Sequence, residues 1–505
     1  MLIPYPASLT PGSGYFTVPP TLRISADSGA GRAAKLLIDY LDRPASFHSG
    51  PSIRLELTGE HDLGPEGYSL TITPDELRLV AGAEAGLLHG VQTVRQLLPL
   101  DGSAVLPCLR IQDTPRLPWR GVLLDVARHF MPLEFLYEFV DLLALHKYNV
   151  LHLHLTDDQG WRIEIDGWPR LTEVGAWRTE SMVGPAGSTV FNGEPHGGFY
   201  TQRELTGLVE FAAARGVRIV PEIDLPGHVR AALAAYPELG NRPDTPIPVW
   251  TEWGVSPDIL GVHDKAFEFC RDVLGQTAAV FPSQHLHIGG DECPTVQWET
   301  SPVAQARAAS LGLGTTAELR GWFLGELHKT LEELGRRAVC WDETGHSPGS
   351  LPAGMTLTAW RDAVHGALAV DRGHQVIMAP HTSTYFDYPE GDTGDQPPRE
   401  LITTLQDVHR FDPLAGGLPI ASPDGTQAGV LGTQAQLWTE HAPTPDHVRH
   451  LAFPRLCALA ETAWSPTSRG YADFVQRLPG HLQRLRALGA LPRQRVRFAP
   501  RNTVP

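Results

Sequence analysis

The stretch RGVLLDVARHFMPLEFLYEFVDLLALHKYNVLHLHL (residues 120–155) contains the repeat that decides the fold. An apolar, β-rich run, RGVLLDV (120–126), opens it. A helical segment follows, PLEFLYEFVDLLALHKY (132–148), in which Phe135, Phe139, Leu142, Leu143 and Leu145 give one apolar face at helical spacing. A second β-rich run, NVLHLHL (149–155), closes the unit. The same alternation returns at RIVPEIDL (218–225), QHLHIGGDE (284–292), RAVCWDE (337–343), TLTAWR (356–361), QVIMAP (375–380) and VLGTQAQLWTE (430–440). Eight strand–helix units are the count that closes an α/β, (β/α)8 TIM barrel. It is expected over residues 116–490, with a C-terminal helical extension. A doubly wound open sheet is the rival, but no G-x-G-x-x-G turn follows the first run.

Residues 1–112 read differently. SIRLELT (52–58), YSLTITP (68–74) and ELRLVAG (76–82) alternate like strands, with a hairpin turn at Pro74–Glu76. A helix, AGLLHGVQTVRQLL (85–98), follows, so a smaller α+β accessory domain is expected ahead of the barrel. The Pro-bearing DTPRLPW (113–119) joins the two.

The 505 residues, 42% hydrophobic and 19% charged, describe a globular protein of more than one core. A net charge of −16 leaves no basic surplus for neutralising phosphates, which argues against nucleic acid. Five scattered cysteines with no C-x-x-C spacing indicate neither a disulfide framework nor a cysteine zinc site. The N-terminus lacks a basic, then apolar, signal sequence, and no run is long enough for a membrane span. A cytoplasmic protein, with no membrane partner, is the expectation.

In a barrel of this kind the chemistry lies at the C-terminal ends of the strands. The fourth run ends in Gly289–Gly290–Asp291–Glu292. In a regular strand these two acids would point to opposite sides. The glycines permit an unusual backbone that turns both toward the mouth. Other strand ends add Asp157, Asp158, Glu222, Asp224, Asp342, Glu343, Asp387 and Glu440, with Trp341, Trp360 and Trp438 among them. Acids with aromatics suit a sugar, whose C–H faces stack on indole while its hydroxyls bond carboxylates. His152, His154 and His228, with nearby aspartates, support a competing metal-dependent hydrolase, although the fourth strand repeats the same H-x-H spacing at His285 and His287. Strand histidines that bond neighbouring carboxylates explain the same pattern without metal. A barrel that binds sugar without turnover is the non-enzymatic alternative.

Together the runs WRGVLLDVARHF, KYNVLHLHLTDDQGWRIEI, VPEIDLPGHVRAALAAYPEL, HLHIGGDE, CWDE, TYFDY and LWTE resemble glycoside hydrolase family 20, the β-N-acetylhexosaminidases, in the family's order. Leu153 departs from the pattern, where many members carry tryptophan. The resemblance implies an exo-acting, retaining hydrolase of terminal N-acetylglucosamine or N-acetylgalactosamine, on oligosaccharides or glycoconjugates, with no cofactor and no metal. The family works by substrate assistance, the 2-acetamido oxygen attacking the anomeric carbon to give an oxazoline-like intermediate. On this pattern Glu292 would be the general acid and then the base. Asp291 would accept from the acetamido N–H, and Tyr385 would donate to its oxygen. His228 and Asp157 would form a relay behind the acid. Arg120 and Glu440 would bond the O3 and O4 hydroxyls, with Arg120 as a buried ion-pair partner the alternative. Asp387 would take a hydroxyl farther round the ring, and Trp341, Trp360 and Trp438 would wall the pocket. Asp125 and Arg128, in the first run, read as structural. A neighbouring anion and burial are both expected to raise Glu292 toward the pKa a general acid needs.

Overall fold

The computed structural model describes residues 2–46, 52–59, 62–342, 351–391, 396–422, 426–467 and 469–491. Glu343 lies outside the described residues. Eight parallel strands close into a barrel: Trp119–Asp125, Val150–His154, Arg218–Glu222, His285–His287, Arg337–Trp341, Thr356–Ala359, Gln375–Met378 and Gly429–Leu437. Each falls within, or one residue outside, its expected run. The eighth pairs with the first, Gln434 opposite Gly121 and Leu437 opposite Leu124, which leaves no open edge. Every residue of the first, second and eighth strands is buried, as strands covered on both faces require.

Helix Leu133–Leu145 buries all five residues of the apolar face read from the sequence. It ends where Lys147 takes a left-handed backbone, φ 61°. The ammonium of Lys147 then reaches Asp113 at 2.7 Å and the Tyr68 hydroxyl at 2.9 Å, which ties the barrel to the preceding unit.

That unit is a seven-stranded mixed sheet with two helices, Gly31–Leu41 and Glu84–Leu97, packed on each other and against it. The expected hairpin is present, Tyr68–Ile72 antiparallel to Leu77–Ala81, its turn closed by Thr73 N–H donating to Glu76 O at 2.9 Å. Two long strands not read from the sequence, Ser8–Thr17 and Val105–Asp113, pair at one side of the sheet.

The last helices, Arg455–Trp464 and Tyr471–Ala487, hold the two bodies together. Trp464 lies in the core of the N-terminal sheet and donates to Asp113, while Arg484 donates to the carbonyls of Gln96 and Leu98. No helix of the described residues is long and apolar enough to cross a membrane.

Candidate active site

The fourth strand stops at His287, and the chain then turns through two left-handed glycines, Gly289 (φ 63°) and Gly290 (φ 92°). A Cβ on Gly289 would lie 1.7 Å from the Asp224 carboxylate, so this approach admits only glycine. Gly290 N–H donates to Asp224 Oδ1 at 3.0 Å, and its carbonyl accepts from Arg320. Glu292 itself is left-handed, φ 41°, as is His228, φ 52°. Two non-glycine residues held this way are rare, and such backbone strain, about 1–3 kcal/mol each, collects at functional sites. The consequence is geometric: Asp291 and Glu292 both line one cavity at the barrel mouth.

Behind Glu292 runs a chain of charges. Its Oε2 is 3.6 Å from His228 Nε2; His228 Nδ1 is 3.2 Å from Asp157 Oδ1 and 3.4 Å from Asp158 Oδ2. Asp157 Oδ2 is in turn 2.9 Å from His154 Nε2 and 2.8 Å from Arg128 Nη2. Burial works against the His228 imidazolium, but Asp157, Asp158 and Glu292 outweigh it and hold its pKa well above the ordinary value. Asp157, buried against Arg128 and His228, is held well below its own. His228 is therefore a cation at neutral pH. The expected rise in Glu292 is not found: burial raises its carboxyl, but His228 and then Arg128 outweigh burial and leave it below the usual glutamate range. The Glu292 side chain is 40% exposed here, so water and a cation face it more than the neighbouring acid does.

Asp224, at the end of the third strand, faces Asp291. Burial first, then the Asp291 charge, pushes its carboxyl well above the ordinary range, which favours its protonated form.

Tyr385 packs with Trp360 (6.3 Å, near-parallel) and Trp438 (6.3 Å). Burial, with Asp387 and Asp291 nearby, raises its phenol well above 10, which keeps it a hydrogen-bond donor. Trp360 and Trp438 line the cavity, but Trp341 does not. It is 1% exposed, its Nε1 donates to Glu222 at 2.9 Å, and its ring backs Trp438 at 5.9 Å. It is the layer beneath the wall.

Arg120 is a clear correction. It is the second residue of the first strand, so it sits toward the base of the barrel, opposite the mouth. Its guanidinium is 1% exposed and forms a two-pronged pair with Glu66 of the N-terminal unit, 2.7 and 3.0 Å, while donating to the carbonyls of Leu117 and Lys147. Arg128, three residues past the end of that strand, occupies the mouth instead, with Asp157 at 2.8 Å and the Trp438 ring at 5.0 Å. Asp125 does have a structural part, accepting from the N–H groups of Ala127, Arg128 and Thr439. Breaking a buried pair from one side costs about 3–5 kcal/mol. Arg120→Gln is therefore expected to lower the denaturant midpoint markedly while leaving kcat/KM of the folded fraction unchanged. A loss of kcat/KM with wild-type stability would return Arg120 to the site.

Glu440 and Asp387 complete the far side of the cavity, joined there by Arg399, Tyr388 and Trp253, which sequence reasoning did not place. The histidines of the second and fourth strands are engaged below: His152, His154 and His287 each lie 2.5–3.0 Å from the Glu222 carboxylate, which also accepts from Trp341. With four partners on two oxygens, Glu222 is committed to this network, and among these residues only His154 reaches the cavity. His285 begins its strand at the base. Leu153 is buried in the barrel core.

The mouth cavity measures about 240 Å³. Drug-sized pockets run to ~300–1,000 Å³, so this one takes about a single sugar unit. It opens over Glu292 and Trp360 into a shallow trough of about 580 Å³ lined by Cys293, Pro294 and His381. A separate cavity of about 510 Å³ at the base, between Trp119, Arg218 and His285, has Glu66 as its one carboxylate, already paired with Arg120. The chemistry belongs to the mouth.

The models of the glycosyl hydrolase family 20 catalytic domain and of that family's domain 2 match residues 117–467 and 1–114. A β-hexosaminidase of Porphyromonas gingivalis is 35% identical over 96% of this chain, which spans 63% of that relative's length. A β-N-acetylhexosaminidase of Cellulomonas fimi is 34% identical, with 89% of this chain and 85% of the relative aligned. Among solved structures, an exo β-N-acetylglucosaminidase of Vibrio harveyi in complex with N-acetylglucosamine superposes with TM-score 0.86 at 30% identity, covering 98% of this chain and 78% of that one. The Streptomyces plicatus N-acetyl-β-hexosaminidase in complex with Thio-NAglucal gives 0.82 at 33% identity, covering 97% and 95%. With a barrel mouth of acids and indoles and both family models matched along the chain, this protein belongs to glycosyl hydrolase family 20.

Proposed function

We propose that the protein is an exo-acting, retaining β-N-acetylhexosaminidase that releases terminal N-acetylglucosamine or N-acetylgalactosamine by substrate assistance. The observation that carries this is the division of labour among three acids. Glu292 faces the trough through which a leaving group departs. Asp291 lies deeper in the cavity against Asp224, whose carboxyl burial and the Asp291 charge push above the ordinary range.

In this reading the terminal sugar fills the small cavity and the aglycone lies along the trough, which gives exo action. Tyr385 donates to the acetamido oxygen, and Asp291 accepts from the acetamido N–H. The acetamido oxygen attacks the anomeric carbon as the C–O bond to the aglycone breaks, and the Glu292 proton goes to the leaving oxygen. Water then opens the oxazolinium, giving up a proton to Glu292, with net retention. An aglycone seated over Glu292 removes water from its carboxyl and raises its proton affinity, supplying the shift that the free site lacks. His228 and Asp157 set the charge behind it. Arg128, Glu440 and Asp387 take the ring hydroxyls, and Trp360 and Trp438 take the apolar faces. Five free cysteines are consistent with a cytoplasmic setting.

Hydrolysis of an aryl N-acetyl-β-D-glucosaminide, competitively inhibited by a thiazoline mimic of the oxazoline, is the expected result. Turnover indifferent to the mimic would remove the substrate-assisted step, and no turnover on gluco or galacto substrates would remove the activity.

A further inference from the structure

The mouth cavity contains a cation that strand-end position does not account for. Arg399 lies on a loop after the seventh strand, and that loop is anchored: Thr403 N–H donates to Pro389 O at 2.8 Å, and Thr403 O accepts from Arg455 Nη1 at 3.0 Å. The guanidinium is delivered between two carboxylates. Nη2 is 2.9 Å from Glu440 Oε1 and 3.2 Å from Asp387 Oδ2. Its side chain is 31% exposed, while the two acids are nearly closed off.

The triad is incompletely satisfied. Arg399 Nε, Asp387 Oδ1 and Glu440 Oε2 are buried without a hydrogen-bond partner. Buried polar atoms left this way are costly and rare. A hydroxyl both donates and accepts, so a sugar ring with adjacent hydroxyls can satisfy an orphaned N–H and orphaned carboxylate oxygens together.

We infer that Arg399 is a specificity-determining residue for the terminal sugar, holding Asp387 and Glu440 as a pair of acceptors and offering its own Nε–H to a ring hydroxyl oxygen. This rests on the reading of the cavity as the seat of that sugar.

Charge supports the positioning half. Asp387 faces Arg399, Glu440, Arg455, Tyr385 and Tyr388, and Glu440 faces Arg399, Arg128 and His441. Burial pushes Asp387 up to about 7 even with Arg399 opposing it. Burial also raises Glu440, but Arg399 and Arg128 bring it down to about 2. The sign follows. Without the Arg399 charge Asp387 climbs further, holds its proton at neutral pH and becomes a charged acceptor only at higher pH.

The test compares wild type, Arg399→Gln and Arg399→Lys on an aryl N-acetyl-β-D-glucosaminide and its 4-deoxy and 6-deoxy analogues. For Arg399→Gln, KM is expected to rise about 10–100-fold with kcat changed far less, the signature of lost binding shared by ground and transition states. The penalty for deleting the C4 or C6 hydroxyl should shrink, because the group that read it has lost its support. The rise of kcat/KM with pH should move alkaline by about one unit or more. Arg399→Lys keeps the charge but not the planar fork, so it should restore the pH position and not KM. Wild-type KM, deoxy penalties and pH profile in folded Arg399→Gln would overturn the inference while leaving the activity standing. If Arg399→Gln does not fold, wild-type KM and deoxy penalties in Arg399→Lys overturn it equally. Failure of wild type on every glycoside would instead overturn the reading of the site on which it rests.

Discussion

Glu292→Gln is expected to lose about 10²–10⁴-fold in kcat/KM on a glycoside with a poor leaving group, such as a disaccharide or a methyl glycoside, the usual worth of a positioned acid. The loss should nearly vanish on a dinitrophenyl glycoside, whose leaving oxygen needs no proton. Glutamine preserves size and leaves the left-handed backbone at φ 41° undisturbed, so the comparison isolates the proton. Its pH profile is informative too. A general acid must be protonated, so rate falls as pH rises through its pKa, and the variant, with nothing to titrate at this position, should lack that limb. Equal losses on both leaving groups would show that Glu292 matters for shape or binding, and Glu292 would cease to be the acid.

How much of this was legible in the chain depends on what set each feature. Barrel strands are buried on both faces, so their apolar runs stand out and all eight were found. Strand Ser8–Thr17 is almost wholly exposed and contains Pro11, Gly12 and Gly14, so it carries no alternation to read. The acids at the strand ends followed from strand direction alone, and the same rule exposes the error at the first strand. Arg120 stands near its start and Arg128 beyond its end, so direction already assigned Arg128 to the mouth and Arg120 to the base.

Two further features depend on contacts distant in sequence. The upward shift of Asp224 arises because the Gly289–Gly290 turn brings Asp291 against it across 66 intervening positions, and no local pattern encodes that approach. Arg399 enters from a loop without periodicity, where a single arginine reads as surface charge. Likewise the depression of Glu292 could not be inferred from its acidic neighbour, because the outcome is set by which charge lies nearest, and that charge is His228.

Asp291→Asn is the second large effect, with an expected loss of about 10²–10³ in kcat, the scale for removing one preorganised electrostatic partner of a developing charge. As the acetamido oxygen closes on the anomeric carbon, positive charge grows on its nitrogen, and only an ionised carboxylate both accepts the N–H and offsets that charge. Asparagine keeps the shape and loses the charge. Two comparisons separate this from simple disruption. The preference of wild type for an N-acetyl over a 2-hydroxy sugar should collapse in the variant, since the group that distinguished them is gone. Asp224→Asn should lose far less: burial and the Asp291 charge already push its carboxyl toward the neutral form, and an amide reproduces its acceptor for Gly290 N–H. Equal damage from both substitutions would mean that the charge of the pair is not divided as the third and fourth strand ends place it. Retention of kcat and of the N-acetyl preference in Asp291→Asn would mean that the acetamido group does not react here at all.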